Sequence, residues 1–320
     1  MARTVRMPTP EDLDAARRAV RAVLAPTPVA AAPNLGERTV LKLETLQPTG
    51  SFKVRGGLAA LAAAAAAGDA VVTASAGNHG LGVAYAANRL GVDATVVVAE
   101  DASLTKVEGL RAHRITLVQH GHGYDEAEAH ALAIAQSEAR RFVSPYNDPH
   151  TIAGQATLVD ELREQVDDLA RVVVPVGGGG LISGIALALS SQPRVTIAGV
   201  VPAASPAMLH AYRTGSLERV AVEPTLADGL AGNLEPGAIT VAIARQRVAS
   251  MVAVTEDQIA DAIRALAFDH GIVAEGSGAV GVAAVRAGLL EPSTPAAGTT
   301  AVLVTGRNID RATLASILAG

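Results

Sequence analysis

The 320-residue chain has no cysteine and no tryptophan. The first absence removes disulfide frameworks, thiolate metal sites and cysteine nucleophiles together. Aromatic residues amount to only 2%, so the core has to be built from Ala, Val, Leu and Ile, and stacking platforms for bases or sugars are scarce. An excess of positive charge is missing as well. The net charge of -5 gives no global attraction to phosphate backbones or anionic membranes, and no Lys/Arg run marks a basic patch. No apolar stretch reaches the roughly 18 to 20 residues that a bilayer span needs. The N-terminal segment MARTVRMPTPEDLDAARRAV lacks the uninterrupted apolar region of a secretory signal. These absences predict a cytoplasmic protein that engages neither nucleic acid nor membrane.

What remains is a globular composition, 49% hydrophobic and 18% charged, long enough for two domain-sized layers around substantial cores. Short apolar runs at 40–43, 70–74, 94–99, 115–118, 171–176, 195–201, 251–254 and 300–305 read as strands. Helical patterns separate many of them, among others at 79–90, 125–140, 151–167, 181–189 and 256–270. Such alternation predicts α/β architecture with parallel sheet covered on both faces, and ligands where strands end and helices begin. The Ala-rich run at 58–67 reads as helix by propensity. No internal repeat is evident, and the two-proline segment VSPYNDPH at 143–150 is the best candidate for a crossing between domains.

Three motifs carry chemistry. Gly177, Gly178, Gly179 and Gly180 lie between a predicted strand and a predicted helix, where backbone N–H groups can turn inward around an anion and the helix start adds its positive end. A tight strand–helix turn without a ligand has the same pattern, and neither a dinucleotide fingerprint nor a P-loop is present in the required form. In Thr49-Gly50-Ser51-Phe52-Lys53 a lysine follows a glycine turn and an aromatic ring. Schiff-base chemistry needs an amine that is neutral and accessible, which partial desolvation supplies; a lone lysine is otherwise a surface residue. Ser75-Ala76-Gly77-Asn78-His79-Gly80 spans a predicted strand end and helix start, whose amides suit a carboxylate, while the Asn78 amide can bond a phenolic oxygen. Ser75 or Asn78 as an ordinary helix cap fits the same residues.

Together, and in their order along the chain, the three motifs resemble those of the threonine/serine dehydratase and serine racemase branch of the fold type II (tryptophan synthase β-like) pyridoxal-phosphate enzymes. Further matches are Ile152-Ala153-Gly154-Gln155, Ala274-Glu275-Gly276-Ser277-Gly278-Ala279 and Thr305-Gly306-Arg307-Asn308, so the resemblance covers nearly the whole chain. It implies two αβα domains with twisted, mainly parallel sheets and pyridoxal 5'-phosphate in the cleft between them. A large discontinuous domain (1–65 and 145–320) and a small one (66–144) are expected, without a C-terminal regulatory domain, in a homodimer.

By the same resemblance Lys53 is the catalytic residue and carries the cofactor. Phe52 packs beside the ring, Asn78 meets its phenolic oxygen, residues 177–180 hold the phosphate, and Thr305 pairs with the pyridine nitrogen. The substrate carboxylate is expected on Ser75, Ala76, Gly77, Asn78 and His79. Ala76 stands where racemases carry a serine that acts as second acid/base, so dehydration is expected to dominate. Val201 and Ala207 occupy the positions of acidic ligands in metal-activated relatives, and a hard cation needs oxygen donors, so no metal is expected. His113, His120, His122 and His130 lack a carboxylate or cysteine that would complete a ligand set. Arg307 is unusual at its position and fits a second substrate carboxylate, as in 3-hydroxyaspartate, the cofactor phosphate, or a side chain that points to solvent or caps a neighbouring helix. Gly276 replaces a proline and is expected to loosen its turn. Glu275 and Tyr146 fall near the expected cofactor without an assigned role.

The activity implied is removal of water and ammonia from a small β-hydroxy amino acid such as L-threonine or L-serine. A 3-hydroxyaspartate or specialised-pathway dehydratase, or a β-replacement or threonine-synthase-like lyase, are the alternatives on the same fold. A protein that binds the cofactor without catalysis, or a nucleotide-binding module using only the tetraglycine, is the alternative of another class.

Overall fold

A computed structural model describes residues 5–290 and 298–320; the first four residues of the N-terminal segment lie outside that range. The chain divides into two compact units, Met1–Ala25 with Phe52–Thr157, and Pro26–Ser51 with Leu158–Gly320. The 143–150 segment falls inside the first. In chain order the elements begin α1 (Pro10–Arg21), β1 (Val29–Ala31), β2 (Thr39–Leu43), α2 (Lys53–Ala67), β3 (Val71–Ala74), α3 (Asn78–Leu90), β4 (Ala94–Val98), α4 (Leu104–Arg111) and β5 (Thr116–Gln119). There follow α5 (Gly123–Ser137), β6 (Arg141–Phe142), α6 (Pro149–Gln165), β7 (Leu169–Pro175), α7 (Gly180–Ala188), β8 (Thr196–Pro202) and α8 (Ala207–Thr214). The chain ends with α9 (Ile239–Arg247), β9 (Ser250–Val254), α10 (Glu256–His270), α11 (Gly276–Arg286), β10 (Thr299–Val304) and α12 (Arg311–Ala319). No described helix is long and apolar enough to cross a membrane.

The expected α/β class with parallel-dominated sheets is observed. In the first unit four strands run in the order β5-β4-β3-β6, all parallel. In the second, six strands run β1-β2-β10-β7-β8-β9, parallel except for the antiparallel β1–β2 pair. Every residue of β3 and β4 is buried, which is why these strands read as unbroken Val-rich runs instead of alternating ones. All eight strand segments expected from the sequence form, with ends shifted by no more than two residues. The two strands not anticipated, β1 and β6, are three and two residues long. Such lengths carry no periodicity, and β6 exists through its pairing with β3.

Both sheets reverse direction once. In the first unit β4 and β5 are added on one side of β3, and β6 returns to the other side. In the second, β8 and β9 extend from one side of β7, and β10 occupies the other. Open parallel sheets leave a crevice beyond the carboxyl ends of the strands at such a reversal. The residues placed there are those after β3 and β6 in one unit, and those after β7 and β10 in the other. These four connections contain most of the residues singled out above.

Helix α2 explains how one of the remaining residues is fixed. It is buried around most of its circumference, as an Ala-rich helix with little polar face has to be. A Cβ at Gly57 would stand 2.5 Å from the Gly82 carbonyl oxygen, and one at Gly82 would stand 2.8 Å from that of Lys53. Helices α2 and α3 therefore meet backbone to backbone, and the first turn of α2, with Lys53, is pinned against α3. The first unit's core is Val54, Leu58, Leu61, Val71 and Val83 with their neighbours; the second unit's is built on Leu41, Val173, Val200, Ile263 and Val302.

Candidate active site

In the first unit, β3 ends at Ala74 and α3 begins at Asn78. The Ser75 hydroxyl accepts from the Gly77 amide at 3.2 Å, and a Cβ at Gly80 would stand 2.1 Å from the Ser75 carbonyl oxygen. The connection is thus folded tightly onto the helix start, where helix geometry leaves the first-turn amides for a cap or a ligand. Lys53 is the first residue of α2, so the turn expected to present it is the entry to that helix, with Phe52 as its cap residue. Its half-buried ammonium donates to the Pro145 carbonyl at 3.0 Å and lies 5.4 Å from the Phe52 ring centroid. Pro145 belongs to the connection after β6, and Tyr146, half-buried, follows it. The switch point of the first sheet therefore gathers residues 75–79, Lys53 and Tyr146.

His79 is 3% exposed. Its Nε2 lies 2.9 Å from the Thr73 hydroxyl and 3.1 Å from the Val143 carbonyl, and the same hydroxyl donates to Val143 at 2.8 Å. Burial, reinforced by the positive charge of Lys53, pushes the imidazole down to about 3 against the opposing pull of the Val143 carbonyl. The ring is neutral at any ordinary working pH.

In the second unit the tetraglycine joins β7 to α7, as expected. Gly179 sits at φ +88°, and a Cβ there would stand 2.5 Å from the Met208 methyl and 2.9 Å from the Thr240 Cβ; one at Gly177 would stand 2.9 Å from the Leu230 Cα. Only glycine meets both demands. The Thr240 hydroxyl donates to the Gly178 carbonyl at 2.8 Å, so that acceptor of the loop is engaged within the unit. At the other flank of the switch point, buried Thr305 points its hydroxyl toward the Ser277 carbonyl at a long 3.4 Å. The Glu275 amide donates to the Gly306 carbonyl at 3.0 Å, and a Cβ at Gly306 would stand 2.4 Å from a Glu275 carboxylate oxygen. A Cβ at Gly276 would stand 2.1 Å from the Leu226 carbonyl oxygen. This glycine is a close-packing position, not the loosened turn expected from the missing proline.

Arg307 has a structural partner. Its guanidinium donates to the Thr45 carbonyl and its amide to the Gly50 carbonyl at 2.9 Å, while the Asn308 side chain donates to Thr49 at 2.8 Å. These bonds fasten the turn after β10 to residues 45–50. Val201 and Ala207 are buried and apolar. The His120 and His130 rings stack with centroids 3.8 Å apart, and His113 pairs with Asn88 at 3.0 Å. Among the described residues no group of three or more His, Asp or Glu is placed to share a metal ion.

Two features escaped the sequence reading. Thr73 and Val143 bracket His79, and the signal was a threonine in an otherwise aliphatic strand, VVTA. In the second unit, Lys42 is fully buried and donates to Glu161 at 2.6 Å, to the Thr27 carbonyl at 2.6 Å and to Gln165 at 2.8 Å. Glu161 also accepts the Thr27 amide at 3.0 Å, and the Thr27 hydroxyl donates to buried Glu44 at 2.6 Å. The chain has only three lysines, Lys42, Lys53 and Lys106. With Lys42 locked in an ion pair, the one that stands at a switch point is Lys53.

The residues present suit a phosphate-bearing aromatic aldehyde. In the second unit the amides of residues 177–180 stand at the start of α7, where an anion can be held; in the first, Lys53 offers an amine. Ser51, Ser183 and Ser277 bury hydroxyls that have no partner among the described residues and so have bonding capacity to offer a further group.

A family model described as pyridoxal-phosphate dependent enzyme matches residues 20–306. The L-threonine ammonia-lyase of Thermotoga maritima is 43% identical over 311 residues, 95% of this chain and 76% of that one. The structure of maize serine racemase superposes with a TM-score of 0.88 at 27% identity, covering 98% of both chains. The processed form of threonine deaminase isoform 2 from Solanum lycopersicum gives 0.86 at 30% identity, covering 99% of this chain and 97% of that one.

Proposed function

Because the chain belongs to the pyridoxal-phosphate dependent enzyme family, we propose that it is an ammonia-lyase that converts a small β-hydroxy amino acid, L-threonine before L-serine, to a 2-oxo acid and ammonia. The observation that carries this reading is the half-buried Lys53 amine, held on the Pro145 carbonyl beside the helix start of residues 75–79. Lys53 would carry the cofactor, with Phe52 beside its ring, Asn78 on its phenolic oxygen, Thr305 on its pyridine nitrogen and residues 177–180 on its phosphate. Bound there, pyridoxal phosphate supplies an electron sink for the pair left behind when the Cα proton departs.

This chain's own residues do the rest. Amides of residues 75–79 bind and orient the substrate carboxylate. The Lys53 amine would take the Cα proton as general base. The neutral hydroxyl of Thr305 does not force a proton onto the ring nitrogen as a carboxylate would, which favours loss of the β-hydroxyl over long-lived carbanion chemistry. Ala76 offers no acid on the opposite side, which favours elimination over racemisation. Arg307, engaged with Thr45, supports a substrate with a single carboxylate. Glu275 packs against Gly306 and Tyr146 lies beside Pro145, both as supports of the neighbouring backbone.

We also infer a cytoplasmic homodimer whose partner is the amino acid and neither nucleic acid nor membrane; the net charge of -5 supports the exclusion of nucleic acid and anionic membrane. The test is 2-oxo acid release from cofactor-loaded protein over L-threonine, L-serine, D-serine and both 3-hydroxyaspartate diastereomers. Release from L-threonine is expected. Silence across the panel overturns the reading.

A further inference from the structure

The loop that receives the Lys53 amine is held from behind by a buried histidine. We propose that His79 is a positioning residue: its Nε2–H, together with the Thr73 hydroxyl, fixes the Val143 carbonyl and so places Pro145, whose carbonyl holds Lys53. The proposal rests on Lys53 being the cofactor lysine.

Three atoms form a closed cluster. Thr73 Oγ1 and Val143 O are 2.8 Å apart, His79 Nε2 and Thr73 Oγ1 2.9 Å, and His79 Nε2 and Val143 O 3.1 Å. The hydroxyl has one proton and gives it to the carbonyl. The imidazole nitrogen must then be the donor, since a bare Nε2 would set its lone pair against two oxygens. Thr73 and Val143 are fully buried and His79 nearly so, so water does not compete. Loss of the His79 donor leaves the carbonyl with the hydroxyl alone.

From Val143 the path to Pro145 is short and stiff. Proline fixes its own φ, and Ser144 before it is confined to extended backbone. The Ser144 hydroxyl accepts the Asn147 amide at 3.1 Å. Asp148 accepts the amides of His150 and Thr151 at 2.9 and 2.8 Å and pairs with Arg141 at 3.3 Å. A displacement at Val143 is therefore transmitted to the Pro145 carbonyl, and from there to the lysine Nζ at 3.0 Å. His79 sits on α3 one residue after Asn78, so the helix start that meets the substrate and the loop that meets the lysine are tied through one ring.

The test uses full-length, cofactor-loaded protein and two readouts besides turnover: the visible circular dichroism of the bound cofactor, and the rate at which hydroxylamine strips it. His79→Leu should strip about tenfold faster, the scale of one lost buried hydrogen bond, with an altered dichroic band and a lower kcat at nearly unchanged KM. His79→Gln, whose amide can donate near the Nε2 position, should return all three to within about twofold of the parent. Thr73→Val should shift them in the same direction as His79→Leu, by less. A folded His79→Leu protein with parental stripping rate and dichroism overturns the proposal, as does a His79→Gln protein that behaves like His79→Leu. If His79→Leu does not fold, parental behaviour of Thr73→Val overturns it instead. If the parent protein itself carries no cofactor on Lys53, it is the functional reading that fails, and these comparisons separate the two.

Discussion

The two switch points handle chemistry in opposite ways. At its reversal the first unit gathers ionisable side chains: the Lys53 amine, from the start of α2, on the Pro145 carbonyl, and His79 in a dry setting that keeps its ring neutral. After β7 and β10 the second unit ties its ionisable side chains into structure: Arg307 donates to the Thr45 carbonyl and Glu275 packs against Gly306. For binding it offers glycine backbone, the hydroxyl of Thr305 and the buried hydroxyls of Ser183 and Ser277, and its buried Lys42 is tied up in the network with Glu161. A reacting group has to be a side chain whose proton can move, which needs partial burial and a movable contact. An anion cradle needs amides, which carry no proton to lose and cost little to preorganise. On the function proposed above, the same sheet reversal supplies reactivity in one unit and recognition in the other.

Substitutions should break this contrast in a graded way. Lys53→Ala removes the reacting group and should lower turnover by a thousandfold or more, about the upper range for a general base, with the far-ultraviolet spectrum unchanged; activity close to the parent's would contradict the assignment. In the second unit Glu161→Ala should act on stability instead, since it strands the buried Lys42 charge. The expected cost is roughly 3–5 kcal/mol, measured as a fall in the thermal midpoint on the order of 10 °C. Gly179→Ala forces a side chain into φ +88° and into contact with Met208 and Thr240, at a cost of roughly 1–3 kcal/mol. Its signature should be weaker cofactor retention in a dialysis titration, with turnover recovering when cofactor is added in excess.

The smallest effect concerns acid. The folded chain holds His79 near 3, whereas an unfolded imidazole takes up a proton near 6.5. Between those values the unfolded state binds the extra proton, so stability falls as pH drops from 6.5 toward 3. Over the first unit, from 6.5 to 5.5, the loss from this group should be about 1 kcal/mol. Asp12, held low chiefly by Arg6, adds a loss only further down, in the carboxylate range. Denaturant midpoints of His79→Gln and parent should converge on acidification; parallel curves would contradict the buried neutral ring.

How much of this was readable from the sequence follows from contact range. Buried parallel strands announce themselves as aliphatic runs, and the tetraglycine, the Ser75 to Gly80 connection and Lys53 are local patterns, so the fold class and the candidate residues were legible. What depends on distant partners was not. Val143 lies 64 residues from His79, and Glu161 lies 119 from Lys42, so neither the histidine brace nor the ion pair leaves a local trace. The backbone contact of Gly57 with Gly82 looks, in sequence, like any pair of helical glycines. Arg307 invited a reading toward substrate because an exposed arginine in a motif has no visible partner until residue 45 is brought beside it.

The central claim is that Lys53 carries the cofactor. Borohydride reduction of the cofactor-loaded protein, followed by peptide mass spectrometry, tests it with three lysines to choose from. The account predicts the reduced pyridoxyl phosphate mass on the Lys53 peptide and on neither of the others. A label on Lys42 or Lys106, or none at all in protein that retains the cofactor, would contradict it.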